Sequence, residues 1–257
     1  MRARVCAVSY LNSVPLVWGM LHGAEQGLFD LEFALPSECA ERLAAGSTDV
    51  GLVPSIELAW QGLEIIPGAG VAARGPVRSI LLVSKVEPGA IRTLAADTSS
   101  RTSVVLAQIV LARRYAARPE LTPHPPDVPG MLRRADAAVL IGDPALRAGL
   151  APGPYRIVDL GQEWFALTGW PMVFAVWACR EKALAAELAP AFLSSCRFGR
   201  AHLEDIVRQE AAARGLPESL AREYLTRHII SLLGEREYEG LRLFLEQARR
   251  LEAHAQA

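Results

Sequence analysis

The chain has 257 residues, of which 51% are hydrophobic and 21% charged, so we expect a folded globular protein rather than a disordered or fibrous one. This length suits either one large domain or two lobes of about 100–150 residues each. The 27 lysines and arginines nearly balance the 28 aspartates and glutamates, giving a formal net charge of -1, and like charges form no long block. Nucleic acid is therefore not an expected partner.

The distribution of apolar residues and cysteines bears on location. The N-terminal apolar run is broken by Ser9, Tyr10 and Asn12 before it reaches the length of a signal-peptide core. The most apolar later stretch, 171–179, is far shorter than the roughly 20 residues that cross a bilayer. The four cysteines are far apart and form no C-x-x-C pair, which favours reduced, buried thiols. We therefore expect a cytoplasmic protein with no membrane partner.

Strands alternate with helices over the first two thirds of the chain, because short apolar runs are followed by prolines and serines typical of helix starts. The predicted strands are 5–9, 31–35, 49–53, 79–84, 93–97, 137–141, 155–160 and 171–179. The predicted helices among them begin at Ser13 and at Pro54-Ser55 or span 38–45, 104–115 and 145–148. The proline-rich stretch 119–129 predicts an irregular connection.

From Glu181 onward the pattern predicts only helices, which form an all-helical C-terminal tail. Their predicted bounds are 181–197, 200–214, 217–228 and 235–253. The alternation that precedes them predicts an α/β fold of mainly parallel sheets with helices on both faces. In such sheets, ligands bind at the carboxyl ends of the strands.

Polar residues gather at these predicted strand ends. In the segment 9–13, the side chains of Ser9, Tyr10 and Asn12 and the free amides of the following helix either bind an anion or form a cap and turn. Ser55 is in the same position after the next strand, where it is either an N-cap or a ligand contact. Asp143 follows a later strand and is either a cap or an acceptor for a substrate hydroxyl.

The segment 98–103 is the most polar of these strand ends. It offers Ser100, Arg101, Thr102 and Ser103, with further hydroxyls before them, at the start of a predicted helix. A single side chain is enough to cap a helix, so the surplus favours an anion site over a polar loop. Nucleotide-binding, hydrolase-elbow and zinc-protease motifs are absent from the sequence, and the five histidines are scattered. No cofactor or metal is therefore expected.

Six segments in this order resemble the chorismate dehydratases of the futalosine route to menaquinone, the MqnA family, over about residues 5–250. They are Ser9-Tyr10-Leu11-Asn12 with Pro15-Leu16, Asp49-Val50-Gly51 with Ser55-Ile56-Glu57, 79–85, Ser103 with the hydroxyls before it, Leu140-Ile141-Gly142-Asp143, and 170–175. The resemblance implies a type II periplasmic-binding-protein fold, a two-lobed clamshell. It implies one lobe from residues 1–83 and 175–257, the other from 84–174, and a ligand cleft between them. Arg78 and Arg101 stand where small residues are expected in relatives.

The resemblance also implies a reaction, in which chorismate loses water to give 3-[(1-carboxyvinyl)oxy]benzoate. The matching motifs supply no evident histidine, lysine or glutamate base, and a carboxylate beside a dianionic substrate would be repelled. Our hypothesis is that the enolpyruvyl carboxylate of the substrate takes the C3 proton, while Asn12 and Ser79 orient it and assist departure of the C4 hydroxyl. Asp143 is the alternative base.

Two other classes of protein share this fold. A solute-binding protein would deliver its ligand to a transporter and needs export or a lipid anchor, which the sequence does not suggest. A ligand-sensing regulator would carry a DNA-binding helix-turn-helix. We expect a small molecule, chorismate, as the partner, and the sequence leaves a homodimer open.

Overall fold

The computed structural model describes residues 2–150 and 153–255. Over these residues the strands are β1 (Ala3–Val8), β2 (Phe29–Ala34), β3 (Val50–Pro54), β4 (Glu64–Ala73), β5 (Ile80–Ser84), β6 (Thr93–Asp97), β7 (Glu120–His124), β8 (Ala137–Ile141), β9 (Arg156–Asp159), β10 (Met172–Cys179) and β11 (Ile230–Leu232). All eight predicted strands are present within one or two residues. The strands β4, β7 and β11 were not predicted.

The helices confirm the predicted α/β class. They are α1 (Val14–His22), α2 (Pro36–Ala45), α3 (Glu57–Gln61), α4 (Thr102–Tyr115), α5 (Val128–Arg134), α6 (Gly142–Leu150), α7 (Leu160–Thr168), α8 (Lys182–Ala201), α9 (Leu203–Ala213), α10 (Glu218–Glu223) and α11 (Glu235–Ala255). Helices α5 and α7 were not predicted. In the described residues, 2–150 and 153–255, no helix is both long enough and apolar enough to span a membrane.

The strands form two sheets, in the orders β11-β4-β10-β3-β1-β2 and β7-β6-β8-β5-β9. In the first sheet β10 lies antiparallel between β3 and β4, and in the second β5 lies antiparallel between β8 and β9. The prediction of mainly parallel sheets therefore needs correction, because both sheets are mixed. The strands that alternate with helices do share a direction, and the antiparallel strands β5 and β10 each follow a passage of the chain from one sheet to the other.

The chain crosses between the sheets twice, through residues 74–79 and 169–171. The strand β5 (Ile80–Ser84) belongs to the second sheet, and β10 (Met172–Cys179) belongs to the first. The predicted lobe boundaries at 83/84 and 174/175 thus fall inside strands.

Two of the three unpredicted strands, β4 and β7, carry residues that usually interrupt strands. β4 contains Pro67 and two glycines, and its pairing with β10 shifts register twice. A Cβ atom at Gly70 would lie 2.7 Å from the carbonyl oxygen of Ala175, so only glycine permits this close approach. β7 contains Pro123 and lies at a sheet edge, where a proline costs no ladder hydrogen bond.

The C-terminal region is helical, as predicted, but it is not entirely so. The short strand β11 pairs antiparallel with β4 at the edge of the first sheet. Before it, the predicted helix 217–228 ends in a π-helical turn, Tyr224–His228. The C-terminal region therefore contributes the edge strand of the first sheet as well as helices that pack against the sheet.

Helix α8 packs directly on α1, and a glycine makes the approach possible. A Cβ atom at Gly199 would lie 2.1 Å from the carbonyl oxygen of Pro15. Backbone atoms cannot yield as a flexible side chain can, so any larger residue must separate the two helices.

Replacing Gly199 by Ala should therefore lower the free energy of unfolding by about 1–3 kcal/mol, although alanine normally favours a helix. Gly149 on α6 is the matched control, since a Cβ atom there would meet Leu81 Cδ1 at an ordinary 3.7 Å. Urea unfolding of both variants measures the difference. Equal stability of Gly199→Ala and Gly149→Ala would contradict this packing.

Candidate functional site

A cavity lies between the two sheets, where strands of both sheets end. Most of its wall is apolar, and its polar side chains follow strand ends or begin helix α4. The lining residues are Val8, Tyr10, Asn12, Pro36, Leu52, Pro54, Val71, Ile80, Ser100, Thr102, Ser103, Ile141, Gly142, Phe174 and Ala175. A cavity of this composition suits a small ligand with an apolar body and a few polar groups.

The segment after β1 brings two of the predicted residues, Tyr10 and Asn12, to the cavity wall. A 3₁₀ turn, Leu11–Ser13, leads into α1. The Ser13 hydroxyl donates to backbone carbonyls of this segment, so Ser13 acts as a turn residue. Ser9 does not line the cavity, and it is the Ser9 carbonyl that accepts a hydrogen bond from Arg214.

Tyr10 is a neutral hydrogen-bonding group in this wall. Its ring lies against Gly142, where a Cβ atom would come within 2.5 Å of the ring. Burial raises the pKa of Tyr10 to about 12, so the phenol stays protonated at neutral pH. Its hydroxyl lies 3.4 Å from the Ser99 hydroxyl.

The segment before α4 brings three of the predicted hydroxyls to the cavity, those of Ser100, Thr102 and Ser103. The amide of Ser103 donates to the Ser100 hydroxyl oxygen at 3.3 Å. The Thr102 hydroxyl accepts from the amide of Ile56 at 3.2 Å, which links the start of α4 to the segment after β3. The N-terminus of a 14-residue helix thus faces the cavity, with the positive end of its dipole toward a ligand.

Ser55 and Arg101, both predicted to bind substrate, do not line this cavity. Ser55 is fully buried and its hydroxyl donates to the carbonyl of Val173 at 2.8 Å. The Arg101 guanidinium bonds the carboxylates of Glu57 and Glu41, each at 2.8 Å. Both side chains therefore bond other protein groups and connect the segments that form the cavity walls.

Asp143 is engaged through both of its carboxylate oxygens. Its Oδ1 accepts from the amide of Leu11 at 3.0 Å, and its Oδ2 pairs with Arg214 at 2.6 Å. Burial alone would lower the pKa of Arg214, but Asp143 and Glu210 raise it above its ordinary value, so the guanidinium stays charged. The structure thus gives Asp143 a positioning contact with the Leu11–Ser13 turn, and sequence patterns gave no indication of Arg214.

Ser79 lies at the end of the first crossover, directly before the cavity residue Ile80, and its side chain is fully buried. Its hydroxyl oxygen accepts a hydrogen bond from the hydroxyl of Tyr224 at 2.7 Å. Its carbonyl accepts from the amide of Gly142 at 2.8 Å. Tyr224 is 145 positions away along the chain, and no sequence pattern connects the two.

Within the described residues, none of the side chains that line the cavity is charged. Two pairs of charged residues lie beside the lining residues, Arg101–Glu57 and Arg214–Asp143. Arg147, whose charge acts on Tyr10, donates a hydrogen bond to the carbonyl of Arg214. A bound anion would meet hydroxyls, the amide side chain of Asn12 and helix-terminal amides. Such an arrangement binds carboxylates by directed hydrogen bonds rather than by a countercharge.

Asp97, at the end of β6, lies just behind this wall. It is 1% exposed, its Oδ1 accepts from both the amide and the hydroxyl of Ser99, and its Oδ2 has no partner among the described residues. Burial raises the pKa of Asp97, against the opposing effect of the hydrogen bonds from Ser99.

The raised pKa of Asp97 predicts a pH-dependent stability. The folded protein keeps the Asp97 proton to a higher pH than the unfolded chain does, so this residue increasingly destabilises the fold as the pH rises above about 4, the ordinary pKa of an aspartate. Asp97→Asn should therefore raise the melting temperature more at pH 7 than at pH 4. Asp30→Asn, at an exposed position, is the control, and the same change at both pH values for Asp97→Asn would contradict the assignment.

Comparisons with known proteins agree with this architecture. A family model described as menaquinone biosynthesis matches residues 3–250. The chorismate dehydratase of Thermus thermophilus is 30% identical over 255 residues, and the match covers 92% of each chain. A solved structure of an Archaeoglobus fulgidus protein has a TM-score of 0.77 at 18% identity and covers 98% of both chains. The periplasmic aliphatic sulphonate binding protein of Escherichia coli has a TM-score of 0.66 at 18% identity, covering 100% of this chain and 88% of that one. The predicted periplasmic-binding-protein-like fold is confirmed.

Proposed function

The chain belongs to the menaquinone-biosynthesis family, and on that premise we propose that it is a chorismate dehydratase, a carbon–oxygen lyase of the futalosine route. The observation that carries the proposal is the cavity between the sheets, with Asn12 on its wall, the buried Ser79 next to its lining residue Ile80 and no charged side chain among its described lining residues. The substrate would be chorismate and the product 3-[(1-carboxyvinyl)oxy]benzoate.

The reaction removes the C3 hydrogen and the C4 hydroxyl of chorismate. The electron pair of the C3–H bond forms the new ring double bond, and the C4–O bond breaks with its electron pair on oxygen. The departing hydroxide and the C3 proton together make one water, so no other reactant is consumed. The product ring is aromatic, which makes the elimination favourable, and the enzyme has mainly to lower the barrier to loss of the C3 proton.

Charge that develops at C3 delocalises through the ring into the C1 carboxylate. We assign this carboxylate to the N-terminus of α4, with Ser100, Thr102 and Ser103 as its hydroxyl partners. Donors there strengthen their bonds as negative charge builds up, so they stabilise the transition state more than the bound substrate. The neutral phenol of Tyr10 is a further donor on the same wall.

The base in this proposal is the enolpyruvyl carboxylate of the substrate, which takes the C3 proton. Asp143, the alternative base, has one carboxylate oxygen bonded to the Leu11 amide and the other to Arg214, which supports the substrate carboxylate instead. Asn12 would orient the enolpyruvyl group, and Ser79 would donate a hydrogen bond to the leaving C4 hydroxyl. Chorismate has two negative charges, and the lining side chains add no further negative charge that would repel it. A substrate carboxylate as the base, with neutral protein groups as hydrogen-bond donors, is consistent with this.

The proposed lobes follow the two sheets. One would comprise the chain up to about residue 73 with the part from 172 onward, and the other residues 80–168, joined by the two crossovers. The four cysteines are free and buried, with Sγ of Cys6 3.2 Å from Sγ of Cys39, which supports a reducing compartment such as the cytoplasm. A homodimer stays a prediction.

Incubation of the purified protein with chorismate tests the proposal. We expect loss of the diene absorbance together with appearance of a product lighter than chorismate by one water, identified by mass spectrometry. Heat-denatured protein is the control for spontaneous decay. Saturable binding of chorismate without conversion would overturn the proposal in favour of a solute-binding protein of the same fold.

The assigned roles of Asn12 and Ser79 predict the effects of two substitutions. Asn12→Ala and Ser79→Ala should each lower kcat for chorismate by at least about 100-fold, because each removes a donor that acts on the reacting groups. Ser84→Ala is the matched control, since Ser84 is a buried serine at the far end of β5 that bonds the carbonyl of Val86. Near-native rates in both site variants would refute these roles.

A further inference from the structure

We infer that Tyr224 is a positioning residue of this site, which fixes the direction in which the Ser79 hydroxyl donates its hydrogen bond. The inference rests on the proposed function, because it assigns to Tyr224 a role that acts through Ser79. It goes beyond that function in adding a residue from the C-terminal helical region to the machinery for water loss.

In the hydrogen bond between the two hydroxyls, Tyr224 is the donor and Ser79 is the acceptor. The Tyr224 hydroxyl donates to Ser79 Oγ at 2.7 Å, and both side chains are buried, with Tyr224 1% exposed. A serine hydroxyl has one hydrogen and two lone pairs, so accepting from Tyr224 leaves the Ser79 hydrogen free. Among the described residues, no acceptor receives that hydrogen. The hydroxyl of Ser79 is thus prepared to donate to a ligand atom.

Tyr224 is suited to be a permanent donor. Burial raises its pKa, and the approach of Ser79 and Asn12 to the phenol oxygen only partly opposes this rise, so the phenol stays protonated at neutral pH. Asn12, assigned to the enolpyruvyl group, and Ser79, assigned to the leaving group, thereby share one buried neighbour. A chain of hydroxyls in a water-poor site also polarises each of its members.

The backbone at Ser79 is held in place independently. Arg78 has φ of 64°, a left-handed conformation that non-glycine residues rarely adopt. The carboxylate of Asp159 accepts hydrogen bonds from the amides of Val77, at 3.0 Å to Oδ2, and of Arg78, at 2.7 Å. These hydrogen bonds hold the strained backbone at Arg78 in place. With the backbone fixed, the Ser79 hydroxyl could still rotate about its Cβ–Oγ bond, and the hydrogen bond from Tyr224 restricts this rotation.

The turn that carries Tyr224 is tied to the same crossover. Tyr224 begins the π-helical turn Tyr224–His228, a rare geometry that is enriched at functional sites. At the other end of this turn, Nδ1 of His228 lies 2.9 Å from the carbonyl oxygen of Pro76. The turn therefore contacts the 74–79 crossover at both ends, so the position of the phenol relative to Ser79 is fixed.

A mutant cycle with Ser79 tests the inference. Tyr224→Phe, which keeps the ring, should lower kcat for chorismate about 10- to 100-fold with KM changed less than threefold. In a Ser79→Ala background the same change should alter kcat less than threefold, because the group through which Tyr224 acts is gone. A purely structural role would lower kcat by the same factor in both backgrounds, and that result would overturn the inference.

Tyr238→Phe is the matched control, since the Tyr238 hydroxyl is also bonded, to the amide of Gly68 at 2.8 Å, but lies outside the site. It should leave kcat unchanged in both backgrounds. If Tyr224→Phe does not fold, 3-fluorotyrosine introduced at position 224 keeps the ring and hydroxyl but is a stronger donor. The 3-fluorotyrosine variant should change kcat at least twofold when Ser79 is present and leave kcat unchanged in the Ser79→Ala background. If kcat is the same as without the fluorine in both backgrounds, the inference is overturned.

The outcomes also separate this inference from the proposed function. A native protein that converts chorismate, together with a Tyr224→Phe variant of native kcat, overturns the role of Tyr224 alone. A native protein that does not convert chorismate overturns both, because Ser79 then has no reaction in which to act.

Discussion

Two strands that run against their neighbours determine the geometry of the site. β5 enters the second sheet between β8 and β9, and β10 returns to the first sheet between β3 and β4. The remaining strands next to them share a direction, so their carboxyl ends meet at one edge of each sheet, and the crossovers bring these two edges together. Ser79, on the first crossover, and Phe174, on β10, reach the cavity region for this reason. Any change that displaced either crossover would separate the two walls.

The distribution of charge around the cavity follows from the same arrangement. Arg101, which follows β6, pairs with Glu57, which follows β3 of the other sheet. Arg214, at the end of α9, pairs with Asp143, which follows β8. Breaking such a partly buried pair would leave a charge without its partner, which is costly. A ligand is therefore left with hydroxyls and amides as partners. Hydrogen bonds from such donors become stronger as negative charge develops on a ligand, so they stabilise the transition state more than the ground state. A fixed cation would bind the ground state as strongly as the transition state.

The sequence was sufficient to predict the alternation of strands and helices, the family, and the presence of Tyr10, Asn12, Ser100, Thr102 and Ser103 on the cavity wall. It was insufficient where tertiary contacts overrode local patterns. β4 needs Gly70 to approach β10 closely, and β7 tolerates a proline because it lies at an edge. Arg214 and Tyr224 act on residues far away in the chain, and Arg101 meets carboxylates that only the fold brings near. Local spacing cannot reveal such partners.

The central claim is that helix-terminal amides and hydroxyls, and no countercharge, hold the ring carboxylate while water leaves. A crystal structure of the protein with the product 3-[(1-carboxyvinyl)oxy]benzoate tests it most directly. We expect the ring carboxylate within hydrogen-bonding distance of the Thr102 amide and of the hydroxyls of Ser100, Thr102 and Ser103, with the ring edge that lost the hydroxyl toward Ser79. A ring carboxylate paired instead with Arg101 or Arg214, or a product bound outside this cavity, would contradict it.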